Sequence, residues 1–284
     1  MATFQNQATL SYAGNVTTSN VVTGELQQTV SAAKYAVEDN YTQGEVLTYV
    51  VSLVNTGSAS MTDLTVTDDL GAYTQGTETR VPLDYVEGSL SYYVGGTRQA
   101  MPVVTDTNPL TVTGISVPAG GNVFLVYQVR VNEFASPATG AAITNTATVT
   151  GASLPAPIVA QETVTAASEA FLTISKSLNP AVVSEGDRLT YTFVIQNFGN
   201  TPVVATDDAT VTDIFDPILL DLTVTFNGIT WTEGEDYTYD EATGIFATVP
   251  TKILVPAATY TQNPATGAWS VVPGVSTLTV VGTV

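Results

Sequence analysis

The sequence predicts an all-β protein made of two tandem antiparallel β-sandwiches. Three observations carry this. Hydrophobic residues make up 44% of the chain and charged residues only 12%, with threonine and valine abundant, a composition that suits half-buried strands. Apolar and polar residues alternate with period two in short segments bounded by Asn, Gly and Pro. The same order of motifs occurs twice along 284 residues, a length that accommodates two domains.

In the first copy, Lys34-Tyr35-Ala36-Val37 precedes Gly44-Glu45-Val46-Leu47-Thr48-Tyr49, then Val54-Asn55-Thr56-Gly57, then Val66-Thr67-Asp68. The second copy reads Lys176-Ser177-Leu178-Asn179, Gly186-Asp187-Arg188-Leu189-Thr190-Tyr191, Gln196-Asn197-Phe198-Gly199 and Val211-Thr212-Asp213. Spacings agree apart from a short insertion near Asp207. Asn55-Thr56-Gly57 and Asn197-Phe198-Gly199 supply turn chemistry. Tyr92–Gly96 and Val224–Gly228 each read as a strand entering a hairpin, and Pro118–Val129 aligns with Pro273–Val284. No long amphipathic helical pattern appears, so an immunoglobulin-like antiparallel sandwich is the economical architecture for each copy.

The first copy continues past Val129 to one more strand, Ile143–Gly151, which contains Asn145-Thr146-Ala147-Thr148-Val149. The second copy stops at the counterpart of Val129 and is expected to lack its last strand. A spare strand of the same pattern stands at the other end: Phe4, Asn6, Ala8 and Leu10 meet Ile143, Asn145, Ala147 and Val149, and Tyr12 follows in step. The expected organisation is therefore a donor strand at 1–14, a linker at 15–29, a first sandwich at 30–152, a linker at 153–170 and an incomplete acceptor sandwich at 171–284. A sandwich short of a strand exposes core and unpaired edge groups, and a donated strand repairs both. Donation within one chain would have to reach back past the whole first domain. Between chains it is head-to-tail and grows a filament. Alternatively, Phe4–Tyr12 is the remnant of a neighbouring repeat.

The pattern Gly-acidic-x-Leu/Val-Thr-Tyr, Asn-x-Gly, Val-Thr-Asp and Asn-Thr-Ala-Thr-Val resembles the prokaryotic "conserved repeat" domain found in tandem in bacterial and archaeal surface proteins. The resemblance covers about Lys34–Val149 and Lys176 to the end. It implies an immunoglobulin-like fold and a stalk or surface role, with no assigned activity.

Strand parity places polar groups among apolar ones. Val30, Ala32, Lys34 and Ala36 share a face, as do Leu172, Ile174 and Lys176. Leu64, Val66, Asp68 and Leu70 share another, matched by Val211, Asp213 and Phe215. Asn145 lies between Ile143 and Ala147 in the same way. Buried charges must pair or react. The set resembles the self-forming Lys–Asn isopeptide bonds of Gram-positive pilins and adhesins, in which a buried acid sits beside the lysine and the asparagine. That resemblance implies a Lys34–Asn145 cross-link with Asp68 as proton shuttle. In the second domain it implies Lys176 with Asp213, where Asn6 of the next subunit supplies the missing amide. The rival reading is a buried Lys–Asp ion pair with the asparagine capping a backbone edge.

Composition narrows the function. The net charge is −19, from 26 acidic and 7 basic residues, which disfavours nucleic acid and anionic membrane as partners. Histidine and cysteine are absent, which removes the commonest general base and the usual zinc ligands. No cofactor or metal is expected: the acidic stretch Glu233–Glu241 lacks a recognised calcium-loop spacing. No enzyme is expected beyond single-turnover cross-linking. No apolar run could span a bilayer, and Met1–Gln5 has neither the basic nor the apolar region of an export signal. The expected role is a structural subunit of an extracellular filament at a cell or spore surface. Its partners are other copies of itself, and what the filament touches is left open. The alternative is a stalk or adhesin fragment of a larger surface repeat protein.

Overall fold

A computed structural model describes residues 2–284, with side chains for all but Ala2 and Leu26. Every regular element among them is a strand except one 3₁₀ turn at Ala205–Asp207. The chain divides into two compact units. The first runs to Ser136 and includes Ala141–Ala166; the second comprises Pro137–Gly140 and Ala167–Val284.

Residues 2–26 form a hairpin of their own. β1 (Ala2–Asn6) pairs antiparallel with β4 (Val22–Leu26), and β2 (Thr9–Tyr12) with β3 (Asn15–Thr18). Ala13-Gly14, both at positive φ, make the tight turn. The segment expected as one donor strand, Phe4–Tyr12, is divided between β1 and β2, and 15–29 is not the linker read from its threonines. Threonine and valine favour strands as readily as loops, and here they pair back on β1 and β2. Only 27–29 lies between the hairpin and the sandwich. Phe4, Leu10, Tyr12, Val16 and Val22 are all exposed.

The first sandwich comprises β5 (Val30–Ala36), β6 (Asn40–Tyr41), β7 (Val46–Asn55), β8 (Met61–Asp68), β9 (Tyr73–Gln75), β10 (Glu78–Arg80), β11 (Leu83–Tyr85), β12 (Ser91–Val94), β13 (Thr97–Arg98), β14 (Val103–Thr107), β15 (Leu110–Val117), β16 (Asn122–Val131), β17 (Ala142–Thr150) and β18 (Ile158–Ala166). One sheet has the order β13-β12-β16-β7-β5, and the facing sheet β14-β15-β8-β17-β18-β6. The alternation in β7 is explicit: Leu47, Tyr49, Val51 and Leu53 are buried while their neighbours are partly exposed. The segment 153–170, expected as a linker, contains β18. This strand pairs with β17 from Ala142↔Thr165 to Val149↔Ile158 and continues in parallel onto β6. The first sandwich therefore closes with two strands after β16, not one.

The second sandwich comprises β19 (Leu172–Asn179), β20 (Arg188–Asn197), β21 (Thr212–Ile214), β22 (Leu220–Phe226), β23 (Ile229–Thr230), β24 (Tyr237–Asp240), β25 (Ile245–Thr248), β26 (Thr259–Gln262), β27 (Trp269–Val272) and β28 (Gly274–Thr283). Its larger sheet, β19-β20-β28-β22-β23, repeats the first. The opposing sheet has only β21-β25-β24. β8 carries β15 on one edge and β17 on the other; β21 carries β25 and, among the described residues, nothing on its other edge. Opposite Tyr49 stands Tyr127, and opposite the equivalent Tyr191 stands Val280. Val284 is therefore level with Val131 rather than Val129, a two-residue correction to the alignment that leaves the missing strands missing.

The Asn-x-Gly motifs are brackets as well as turns. Buried Asn55 accepts from the Gly57 N–H at 3.0 Å and donates to the Ala59 carbonyl at 2.7 Å. Asn197 accepts from Gly199 N–H at 2.9 Å and Phe171 N–H at 3.0 Å and donates to the Thr201 carbonyl at 2.7 Å. Each asparagine satisfies backbone groups at the strand end that would otherwise be orphaned.

Candidate functional site

Lys34, Asp68 and Asn145 are all buried in the first sandwich, as parity required. Lys34 comes from the middle of β5 and Asp68 from the end of β8, and their side chains are 0% and 2% exposed. The ammonium pairs with Asp68 Oδ2. Asp68 Oδ1 accepts from the Leu70 N–H at 2.9 Å, which fixes the carboxylate. β17 sets Ala147 against Asp68, and Asn145 stands two residues along on the same inward face.

Two tyrosines complete the site and were not singled out in the sequence. The Tyr127 hydroxyl donates to Asp68 Oδ2, beside Lys34. Tyr49 stacks on Tyr127 with ring centroids 6.1 Å apart, and the Lys34 Nζ lies 4.8 Å above the Tyr49 ring. Aromatic residues in a strand read first as core filler, and only the register β7–β16 brings the Tyr127 hydroxyl to the acid and Tyr49 beside it. Neighbouring Asp69 points elsewhere: its Oδ1 accepts from Gly71 N–H at 2.9 Å and Thr146 N–H at 2.8 Å.

Asn145 is unusual. It is fully buried, yet no well-formed hydrogen bond reaches its Oδ1 or Nδ2; the polar group it interacts with is the Tyr49 hydroxyl, which is otherwise unpartnered. A buried amide without well-formed hydrogen bonds is costly, on the order of 1–3 kcal/mol per group. Burial pushes the Lys34 ammonium below the usual lysine range, against the opposing pull of Asp68. Burial, then the Asp68 charge, pushes Tyr127 and Tyr49 above the usual phenol range. Burial therefore loosens the hold of the Lys34 amine on its proton, in a site that also contains an acid and an amide.

The second sandwich holds the same two charged residues in different surroundings. Lys176 on β19 pairs with Asp213 on β21, but their side chains are 39% and 18% exposed. Lys176 Nζ sits 4.3 Å from the Tyr191 ring centroid and 5.4 Å from those of Phe193 and Phe215. Val280 replaces Tyr127, so Asp213 has no phenol partner from β28. The expectation that Lys176 would be buried does not hold in the single chain, because the strands that cover Lys34 have no counterpart here. Asn6, the expected partner, lies in the exposed hairpin of the first unit.

The acidic stretch and the Tyr92 strand resolve into structure. Asp236 is tied to Lys252 at 2.7 Å and to the Thr232 N–H at 2.9 Å. Tyr92 is buried and donates to the Ser116 carbonyl at 2.9 Å. No helix among the described residues is long and apolar enough to cross a membrane.

Fold and site together define an all-β protein of tandem immunoglobulin-like sandwiches, one with a closed Lys–Asp–Asn set and one whose paired lysine is partly exposed. The structure is similar to the full-length major pilin SpaD from Corynebacterium diphtheriae, at TM-score 0.36 and 14% identity over 86% of this chain and 59% of that one. It is similar to the pilus backbone RrgB from Streptococcus pneumoniae, at TM-score 0.34 and 12% identity over 86% and 55%. It is also similar to the collagen-binding domain of a Staphylococcus aureus adhesin, at TM-score 0.32 and 11% identity over 47% and 95%. No family model and no curated protein matches the sequence.

Proposed function

We propose that this chain is a structural subunit of an extracellular filament, in which the N-terminal segment of one copy completes the second sandwich of the next. The observation that carries this is the free edge of β21 above an exposed inner face of β19. In the first sandwich the equivalent edge is filled by β17, whose Phe/Ile-x-Asn-x-Ala-Thr pattern recurs at Phe4–Thr9. Ladder hydrogen bonds would hold the donor, and Phe4, Ala8 and Leu10 would take the places of Ile143, Ala147 and Val149.

Each sandwich is then sealed chemically. The Lys34 ammonium passes a proton to Asp68, and the neutral Nζ attacks the Asn145 Cγ. A Cγ–Nζ amide bond forms as the Cγ–Nδ2 bond breaks. Asp68 gives that proton to the departing nitrogen and takes the second proton shed by Nζ, so that one ammonia leaves and Asp68 is left protonated. Holding amine, acid and amide together in a dry core supplies the effective concentration the reaction needs. The same step joins Lys176 to Asn6 of the next copy, with Asp213 as the shuttle. Each site turns over once and needs no cofactor, so the protein is not an enzyme in the ordinary sense.

Negative-stain microscopy tests the reading: the purified protein should form thin unbranched fibres, and a variant lacking residues 1–12 should not. Fibres that survive the deletion would refute donor-strand assembly, and a protein that stays monomeric would favour a stalk segment. Intact-mass measurement tests the chemistry, since each chain should be lighter by one ammonia for the Lys34–Asn145 bond. An unchanged mass removes that bond.

A further inference from the structure

We infer that the donated element is a two-stranded hairpin, residues 2–26, and not a single strand; this rests on the donor-strand reading above. The first sandwich shows what the second lacks. It closes with the β17–β18 hairpin: β17 fills the edge of β8, while β18 lies across β5 and pairs in parallel with β6. The second sandwich has neither strand. One donated strand would satisfy β21 and still leave the β19 side uncovered, with Ile174 55% and Val182 86% exposed.

The first strand of the N-terminal hairpin matches β17 in sequence, and β4 pairs antiparallel with β1 as β18 does with β17. Ile143 faces Val164 and Asn145 faces Glu162; Phe4 faces Gly24 and Asn6 faces Val22. The steps are the same, so aligning Asn6 with Asn145 aligns Gly24 with Val164 and Glu25 with Thr165. The paired volumes also compensate. Two medium side chains, Ile143 and Val164, are replaced by one large ring and none, and the Phe4 ring fills the space a Gly24 side chain would need: a Cβ there would lie 2.4 Å from its Cζ. Val22 stands where Glu162 stands in the first sandwich, which leaves Asp213 as the carboxylate nearest Lys176. The match covers the half of the hairpin that carries Asn6. Beyond Gln7 the register slips by one, at a bulge where Ser19 Oγ accepts from the Ala8 N–H at 3.0 Å.

The template also says where the second strand docks. Thr165 pairs with Asn40 and Ala166 with Tyr41. The repeat places Val182 and Val183 at the positions of Asn40 and Tyr41, so Glu25 of the incoming copy should lie against Val182. That assigns an occupant to the most exposed large apolar side chain of the second sandwich. The hairpin is preformed, so docking costs less ordering than capture of a flexible strand would.

The chain has no cysteine, so introduced pairs report cleanly. The double variant T9C/T212C probes the first strand, because Thr148 pairs with Thr67 in the first sandwich. The double variant E25C/V182C probes the second. All four positions are exposed. Assembled fibres of each are treated with a short bismaleimide and run on denaturing gels, with Asn6→Ala added to remove the natural cross-link. Ladders of multimers from both variants are expected. A ladder from T9C/T212C alone overturns the hairpin and leaves donor-strand assembly standing. Ladders from neither overturn both.

Discussion

Lys34 and Lys176 occupy the same place in the repeat, each on the first strand of its sandwich and each paired with an aspartate across the core. Lys34 is sealed from water, and Lys176 is more than a third exposed. The strands that carry them do not account for this. β5 and β19 have the same parity, and β19 presents the more apolar inner face: Leu172, Ile174 and Leu178 against Val30, Ala32 and Ala36. The difference lies in what covers them. β17 and β18 close the first sandwich, and the second has a bare edge at that position. An apolar face held open to water beside an unpaired strand edge is unfavourable for an isolated molecule and useful for one built to polymerise.

The contrast can be broken most sharply at the lysines. In an Asn145→Ala background, where no cross-link forms, Lys34→Ala leaves Asp68 buried without a counter-charge and should destabilise the first sandwich by about 3–5 kcal/mol. In the unassembled chain Lys176→Ala removes a solvent-screened pair and should cost the second sandwich about 0–1 kcal/mol. Both tryptophans, Trp231 and Trp269, lie in the second unit. Tryptophan fluorescence during guanidinium unfolding therefore reads the second sandwich alone, and near-ultraviolet dichroism of tyrosine reads mainly the first. Equal losses in the two domains would mean that Lys176 is as well covered as Lys34 and that no socket exists.

A second comparison should show likeness instead. Asn55 and Asn197 make the same bracket in both sandwiches, so Asn55→Ala and Asn197→Ala should each cost about 1–3 kcal/mol by orphaning backbone groups. Similar shifts in the two unfolding signals are expected. A small effect at Asn197 alone would show that the second sandwich is loose beyond its missing strands.

The smallest effect appears only in alkali. Burial, with some help from Tyr73, raises Tyr41 from 10.0 to about 12. The folded protein therefore holds this proton more tightly than the unfolded chain. The resulting stabilisation is complete below pH 10 and is lost as pH rises through 12. Tyr41→Phe, which also removes a 2.8 Å bond to the Ser136 carbonyl, should flatten this alkaline limb in the first sandwich and leave the second unchanged. A limb that persists in the variant would assign it to the other buried phenols.

Much of this was legible in one dimension. Period-two alternation located β7 and β20, and Asn-x-Gly located their ends, because each signal is local: a pleat alternates faces, and a turn needs its own residues. Parity also placed Lys34, Asp68 and Asn145 on inward faces. The threonine-rich stretches 15–29 and 153–170 misled. Their strands, β3, β4 and β18, are recognised by the partners they pair with, and their composition suits a loop equally well. Tyr49 and Tyr127 were missed for a related reason, since they join the site only through the register of β7 on β16.

The sequence by itself determined that the fold is repeated and all-β, that lysine and aspartate recur at matched positions, and that a segment like β17 stands at the N-terminus. These follow from residue type and spacing along the chain. Only the tertiary structure decided that the closing element is a hairpin, that Asn145 is buried without a well-formed hydrogen bond, and that Lys176 is partly exposed. Burial is a property of what packs over a side chain, and here the covering strands lie far from it in sequence.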